Sequence, residues 1–207
     1  RLEIPVNPYD VFKCDVPNLS TSLYFVVNDS FYDKILPKCS LAEGVIVGSL
    51  SKVATEHPEL VAKYYGKIAN TGDDAVTALN TMLSQDGLMV YVPKNVKVEK
   101  AIQVINILRS DVDLMVNRRV LIVMEQGSEA KFLFCDHAAD DRNFLATQVI
   151  EAFVGENAKL DLYCLEETHY KNTRVSNVYI EQQANSVVNH NVITLHNGIT
   201  RNRLDLV

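Results

Sequence analysis

The sequence has no run of eighteen apolar residues, and so offers no transmembrane helix. Its opening, Arg1-Leu-Glu-Ile-Pro-Val6, lacks the apolar core of a signal peptide. Positive charge is scarce. Twenty Lys and Arg stand against 26 Asp and Glu, and a net charge of −6 disfavours a nucleic-acid or anionic-membrane surface. The nearest thing to a basic patch, Arg118-Arg119, reads as a solvated strand start. Four cysteines (Cys14, Cys39, Cys135, Cys164) form no C-x-x-C pair, which leaves a structural zinc site without support. They are too few for a disulfide scaffold at this length, and reduced thiols in a cytoplasmic protein are the simpler reading. No phosphate loop occurs: Gly44-Val-Ile-Val-Gly48-Ser lacks the lysine and the spacing. A G-x-S-x-G nucleophile elbow is missing too. Since the chain starts without Met and stops inside an alternating pattern, a fragment of a longer protein is expected.

What the sequence does contain is a repeat. Glu125-Gln-Gly-Ser-Glu-Ala-Lys-Phe-Leu-Phe134 matches Phe153-Val-Gly-Glu-Asn-Ala-Lys-Leu-Asp-Leu162, with Gly127 over Gly155 and Lys131 over Lys159, 28 residues apart. A further 28 leads to Gln183, Ser186 and Val187. The preceding strands follow the same offset: Ile122, Ile150 and Val178 line up, as do Met124, Ala152 and Ile180. A fixed period carried by strands marks a solenoid whose coils share one core. Near-identical turns at equal offsets favour coils over the rival antiparallel sandwich. Side chains alternate along a strand, so outward lysines place Phe132, Phe134, Leu160 and Leu162 inside, then Val188 and His190.

Taken in order, residues 1–48 read as extended N-terminal strands, with Leu23–Val27 the strongest run and Pro5, Pro8, Pro17 and Pro37 keeping helices out. Residues 49–87 read as a helical cap. Ser49 or Ser51 caps a first helix to about His57, Pro58 opens a second that Gly66 ends, and Asp73 or Asp74 caps a third. Val76, Leu79 and Leu83 form the third helix's apolar stripe. With Leu60 and Tyr64 these helices are expected to close the N-terminal end of the solenoid. Residues 88–207 read as the β-helix core, truncated at its C-terminal end, with repeating coils from about 118. In it Ala101–Leu108 is apolar on both faces, which fits a strand with helices on one side and coils on the other.

Few constellations carry chemistry. Cys135-Asp-His137 and Cys164-Leu-Glu-Glu-Thr-His169 hold metal-ligating types. Stacking by 28 sets Cys135 over Tyr163, so the two thiols face opposite sides of the wall, one a surface thiol and one a small core residue. His190 reads as a neutral histidine bonded to a backbone carbonyl inside the core. Asn189, Asn191, His196 and Asn197 read as turn and ladder residues. Asp140-Asp141 and Glu166-Glu167 fall where turns are expected and read as solvated acids, not a glycosidase pair. No catalytic, cofactor-binding or metal residue is assigned.

An ordered set of motifs resembles a known family. Gly44-Val-Ile-Val-Gly-Ser-Leu50, His57-Pro-Glu-Leu-Val-x-Lys-Tyr-Tyr-Gly66, Ala78-Leu-Asn80, Asp86-Gly87, Val90-Tyr-Val-Pro-Lys94, Arg119-Val-Leu-Ile-Val-Met-Glu125 and Gly198-x-x-Arg-Asn-x-Leu204 are similar to the SufB/SufD proteins of the SUF iron–sulfur cluster assembly system. Arg201-Asn-Arg-Leu204 and the divergent coils look more like the SufD member. The resemblance implies a right-handed parallel β-helix with flanking helices. It also implies a non-enzymatic scaffold that pairs with SufB and with the SufC ABC-type ATPase. The iron–sulfur cluster would be handled transiently by the whole complex, with no cofactor held by this piece. The family's cluster-related cysteine and histidine are implied to lie beyond Val207. The competing expectation, from a different class, is a β-helical polysaccharide-active enzyme. A bare last coil, Leu204–Val207, is further expected to pair with another chain, most simply as a homodimer.

Overall fold

The chain winds so that each turn lays one strand in each of two sheets. The computed structural model describes residues 21–34, 41–69 and 72–207, so the readings at Pro5, Pro8, Cys14, Pro17, Pro37 and Cys39 fall outside the described residues. The strands are β1 (Thr21–Val27), β2 (Ser30–Phe31), β3 (Ile46–Ser49), β4 (Leu88–Val92), β5 (Ala101–Leu108), β6 (Leu114–Met124), β7 (Glu129–Ala138), β8 (Phe144–Val154), β9 (Lys159–Glu167), β10 (Asn172–Gln182), β11 (Val187–His196) and β12 (Ile199–Leu206). The first sheet runs β11-β9-β7-β5-β1-β2 and the second β12-β10-β8-β6-β4-β3. Neighbours pair in parallel except β1–β2 and β3–β4, the antiparallel pairs at one end. This is a parallel β-solenoid of about four turns.

Successive coils shorten by two residues. Val120 pairs with Leu88, 32 residues before it; Leu114 pairs with Phe144, 30 after it; Phe144 pairs with Asn172, 28 on; Thr173 pairs with Ile199, 26 on. Hence Gly127 does not stack on Gly155, although both lie at the same corner. The left-handed residues mark the true equivalence: Asn95, Gly127, Asn157 and Asn185 all have positive φ. The Asn95, Gly127 and Asn157 amides each donate to the carbonyl just before the next of these residues, at 2.8–3.0 Å. Likewise Ile122 pairs with Ala152, not with Ile150, and Ala152 pairs in turn with Ile180. Apart from His196 over Glu167, past a register shift, the parallel offsets are even, and even shifts preserve which side chains face inward. The expected interior set is therefore intact: Ile122, Met124, Phe132, Phe134, Ile150, Ala152, Leu160, Leu162, Val178 and Ile180 share one buried cluster.

Three helices among the described residues, α1 (Leu50–Glu56), α2 (Pro58–Tyr64) and α3 (Ala75–Leu83), start where the sequence places them. The Ser49 hydroxyl accepts from the Lys52 amide at 3.2 Å and donates to buried Asp86 at 2.7 Å. Pro58 occupies the first turn of α2, and the Asp74 carboxylate accepts from the Thr77 amide at 2.8 Å. They do not close the end of the solenoid. Leu50, Val53 and Val61 pack on its flank, against Met89, Leu121, Val123, Val149, Phe153 and Tyr179 on the outer face of the second sheet. Phe31, Leu41, Val45 and Val47 pack against the N-terminal end of the core instead. Strand β5, in the first sheet, is buried on both faces, whereas α1 and α2 pack on the second sheet. Helix α3 departs furthest from expectation: its buried residues are Thr77 and Asn80, while Met82 and Leu83 are exposed.

Candidate functional site: a charged layer inside the solenoid

The inward alternation that buries Ile122 and Phe134 also carries charge into the core. In the first sheet Asn106, Asp136, Glu166 and Thr194 stack in register; across from them stand Arg118, Gln148, Ser176 and Asn202 of the second. Arg118, Asp136, Glu166 and Arg174 are all almost wholly buried. They alternate in sign. Arg118 Nη1 lies 3.1 Å from Asp136 Oδ1, and Arg174 bridges Asp136 to Glu166. Its Nε, 2.8 Å from Asp136 Oδ2, makes a charge contact without hydrogen-bond alignment. Asn106 donates to Asp136 at 2.8 Å, and Thr194 to Glu166 at 2.7 Å. Burial pushes the Asp136 carboxyl up, but Arg174 and Arg118 outweigh it and hold the group below the ordinary carboxylate range. Two cations and two anions thus cancel inside the wall, which is what keeps a buried charge tolerable.

Beyond this layer, between β9, β10, β11 and β12, is a cavity of about 170 Å³. Cys164, Glu166, Arg174 and His190 line it, with Val178, Val192 and Leu204. Burial pushes the Cys164 thiol up to about 12, so it stays protonated at neutral pH. Burial also lowers the His190 pKa, which keeps the imidazole neutral. His190 points inward as expected, yet its Nε2 finds no carbonyl or other hydrogen-bond partner among the described residues.

A second buried pair sits on the outer face. Arg119 and Glu151 form a fully buried salt bridge beneath the helical segment. Glu151 accepts from the amides of Gly66, Ile68 and Ala69 at 2.9–3.2 Å, and the Arg119 guanidinium stacks 4.6 Å over the Tyr65 ring. This pair fastens the helices to the sheet.

Several readings are corrected by this geometry. Arg118-Arg119 is no solvated strand start: β6 already begins at Leu114, so one guanidinium enters the core and the other the helix interface. Glu166 lies on a strand, not a turn, because β9 runs on to Glu167. Asp140 anchors a corner, accepting from Arg109 Nη1 at 3.0 Å and the Ser110 amide at 2.9 Å. Cys135 and Cys164 do face opposite sides of the wall, but Cys135 stacks on Leu165 and is buried among Phe25, Ile105 and Ile107. Asn189, on β11, donates to Asp161 of the neighbouring strand at 2.7 Å. Asn197 is a turn residue as read, its Oδ1 accepting from Thr168, Asn172 and the Gly198 amide. Among the described residues no three His, Cys, Asp or Glu side chains gather as a metal-ligand group. The parity that places Ile122 and Met124 inside also points Arg118, Asp136 and Glu166 inward, although charged side chains are rarely buried.

A two-sheet parallel solenoid with a charge-balanced interior and helices fastened to one flank defines the class. Comparison with known proteins gives the family. The model of the SufBD protein N-terminal region matches residues 1–104, and that of the SUF system FeS cluster assembly SufBD core domain matches 106–207. The chain belongs to the SufB/SufD family. It is 35% identical to the iron-sulfur cluster assembly SufBD family protein slr0074 of Synechocystis over 125 residues, 59% of this chain and 26% of that protein. With SufD of Bacillus subtilis it shares 29% identity over 156 residues, 70% of this chain and 34% of that one. The chloroplastic SufBD family protein ABCI8 of Arabidopsis thaliana is 33% identical over 56% of this chain and 21% of its own length. The chain spans well under half the length of these relatives. Among the described residues no helix is long and apolar enough to cross a membrane.

Proposed function

We propose that this chain is the SufD-like scaffold portion of a SUF iron–sulfur cluster assembly complex, pairing with a SufB-like paralogue and a SufC-like ABC ATPase, and itself non-enzymatic. The observation that carries the reading is the pair of family matches across nearly the whole chain. The interior supports it: Asp136 and Glu166 are each locked by arginine, and Cys164 is held as a neutral thiol. A general acid or nucleophile needs a group free to change protonation, and a fully paired one serves rigidity better. The cluster is cargo of the assembled complex, with no cofactor resident in this chain. The exposed edge at β11 and β12, with Leu204 and Leu206, is offered to the paralogue or, without it, to a second copy. Cys135 and Cys164 are not joined in a disulfide, which suits a reducing compartment, here the cytoplasm.

Affinity isolation of the natural full-length protein from its own cells tests the reading. Stoichiometric recovery of a SufB-like protein and an ABC ATPase is expected. Recovery of the protein without either, or cleavage of a polysaccharide by the purified protein, would overturn it.

A further inference from the structure

Of the two histidines on β11, His190 turns toward the interior. It stacks on Leu162 of β9, between the inward positions of Val188 and Val192. The residue is half-buried, but its Nε2 is enclosed and meets no hydrogen-bond partner among the described residues. Such a place tolerates a neutral imidazole. It resists a charged one, which needs water or an anion.

The cavity beside the ring has no anion to spare. Its charged and titratable groups, besides His190, are Cys164 and Glu166 of β9, Arg174 of β10 and Arg203 of β12. Glu166 is the one carboxylate among these described lining residues. Its oxygens already serve Arg174, Thr194 at 2.7 Å and Asn202 at 3.3 Å. Cys164 is held as a neutral thiol. The other two groups are cations: Arg174 lies between Asp136 and Glu166, and Arg203 is 2.7 Å from Asp205 and 3.3 Å from Asp74. A proton on His190 thus brings a third positive charge to a space whose single negative charge is committed. The strands that hold the ring there are the least secured, since β11 and β12 each pair on one side only and are largely exposed.

We propose that His190 is a pH-sensitive latch on the last coil. Neutral, it packs on Leu162 and keeps β11 against β9; protonated, it leaves the interior and loosens β11 and β12 from the coil beneath. In an unfolded chain histidine takes up its proton near about pH 6.5. Burial lowers that value for His190 in the fold. The sign follows: the coil is fully held above the unfolded value and loosens as pH falls toward the folded one. The opening constant rises by up to about tenfold per pH unit across that window. This device lies outside the proposed assembly role and does not depend on it.

Two measurements on the natural full-length protein test it. NMR of ring-labelled histidines follows the titration of His190, and hydrogen exchange, corrected for the intrinsic rate, is read at about pH 7 and about pH 5. His190 is expected to titrate below its ordinary value. Protection in β11 and β12 is expected to fall several-fold at the lower pH, while β6 and β8 keep theirs. In His190→Phe, shown to be folded by circular dichroism, that fall is abolished; His190→Gln, which cannot charge either, is the second variant should Phe not fold. A His190 that titrates at or above the ordinary value overturns the proposal. So does unchanged protection in the wild type, or a fall that persists in the variants, which assigns the loosening to other groups.

Discussion

Gly127 is held at φ +69° with Asn95 Oδ1 only 2.4 Å from where a Cβ would sit. Asn157 and Asn185 hold the equivalent corners with positive φ, because Asn tolerates the left-handed region better than most residues. Gly127→Ala meets both the strain and the clash. It is expected to cost about 1–3 kcal/mol, read as a lower urea midpoint at unchanged slope. Asp136 is the residue on which the interior charges turn. Asp136→Asn leaves Arg118 and Arg174 short of a counter-charge, and a loss of about 3–5 kcal/mol at neutral pH is expected. The pH dependence follows from the depressed carboxyl. Because the folded pKa lies below the unfolded one, the contribution is whole above about pH 4 and fades as pH falls through the folded value. Urea titrations from pH 7 to pH 2 should therefore show a shallower acid decline in Asp136→Asn than in the wild type. Equal slopes would mean that Asp136 is not charged in the folded chain.

At the scale of elements, α3 and the last two strands differ most from their neighbours. Asn80→Ala leaves the Arg118 carbonyl and Thr147 without their buried donor, and about 1–3 kcal/mol of stability should go with it. Met82→Lys, at a water-exposed position, should stay within about 0.5 kcal/mol of the wild type. Chemical denaturation of the two variants side by side checks this reversal of the usual rule for a surface helix. Hydrogen exchange should be slowest in β6 and β8, which are buried almost throughout, and fastest in β11 and β12. The helix caps, the longer strands and the inward apolar residues were legible in the sequence, because period two and cap chemistry are local rules; the two-residue β2 was not. The register was legible only to within two residues. The likeness of Gly127 and Gly155 suggested equal coils, whereas the coils shorten and Gly155 is equivalent to Glu125. The orientation of α3 was not legible. It depends on Asn117, Thr147 and Asn177 presenting polar groups to the helix, and those lie 33 to 103 positions away along the chain. The charged layer was half legible: parity placed it inside, but burying Arg118 requires Asp136, and only the stacked coils bring the two together.

For the whole molecule, the solenoid acts as a rigid wall with three differing surfaces. One flank is sealed by helices around Arg119 and Glu151. One helix face is apolar and outward, and the C-terminal edge leaves Leu195, Leu204 and Leu206 open. The interior is fixed by paired charges, which suits the scaffold role proposed above. The central claim is that this chain serves iron–sulfur cluster assembly. The most direct measurement is the activity of iron–sulfur enzymes, such as aconitase, in extracts of cells depleted of the full-length protein. The account predicts that these activities fall several-fold while enzyme abundance holds, and that they return when the protein is expressed again. Unchanged activities after complete depletion, with no paralogue induced in its place, would contradict it.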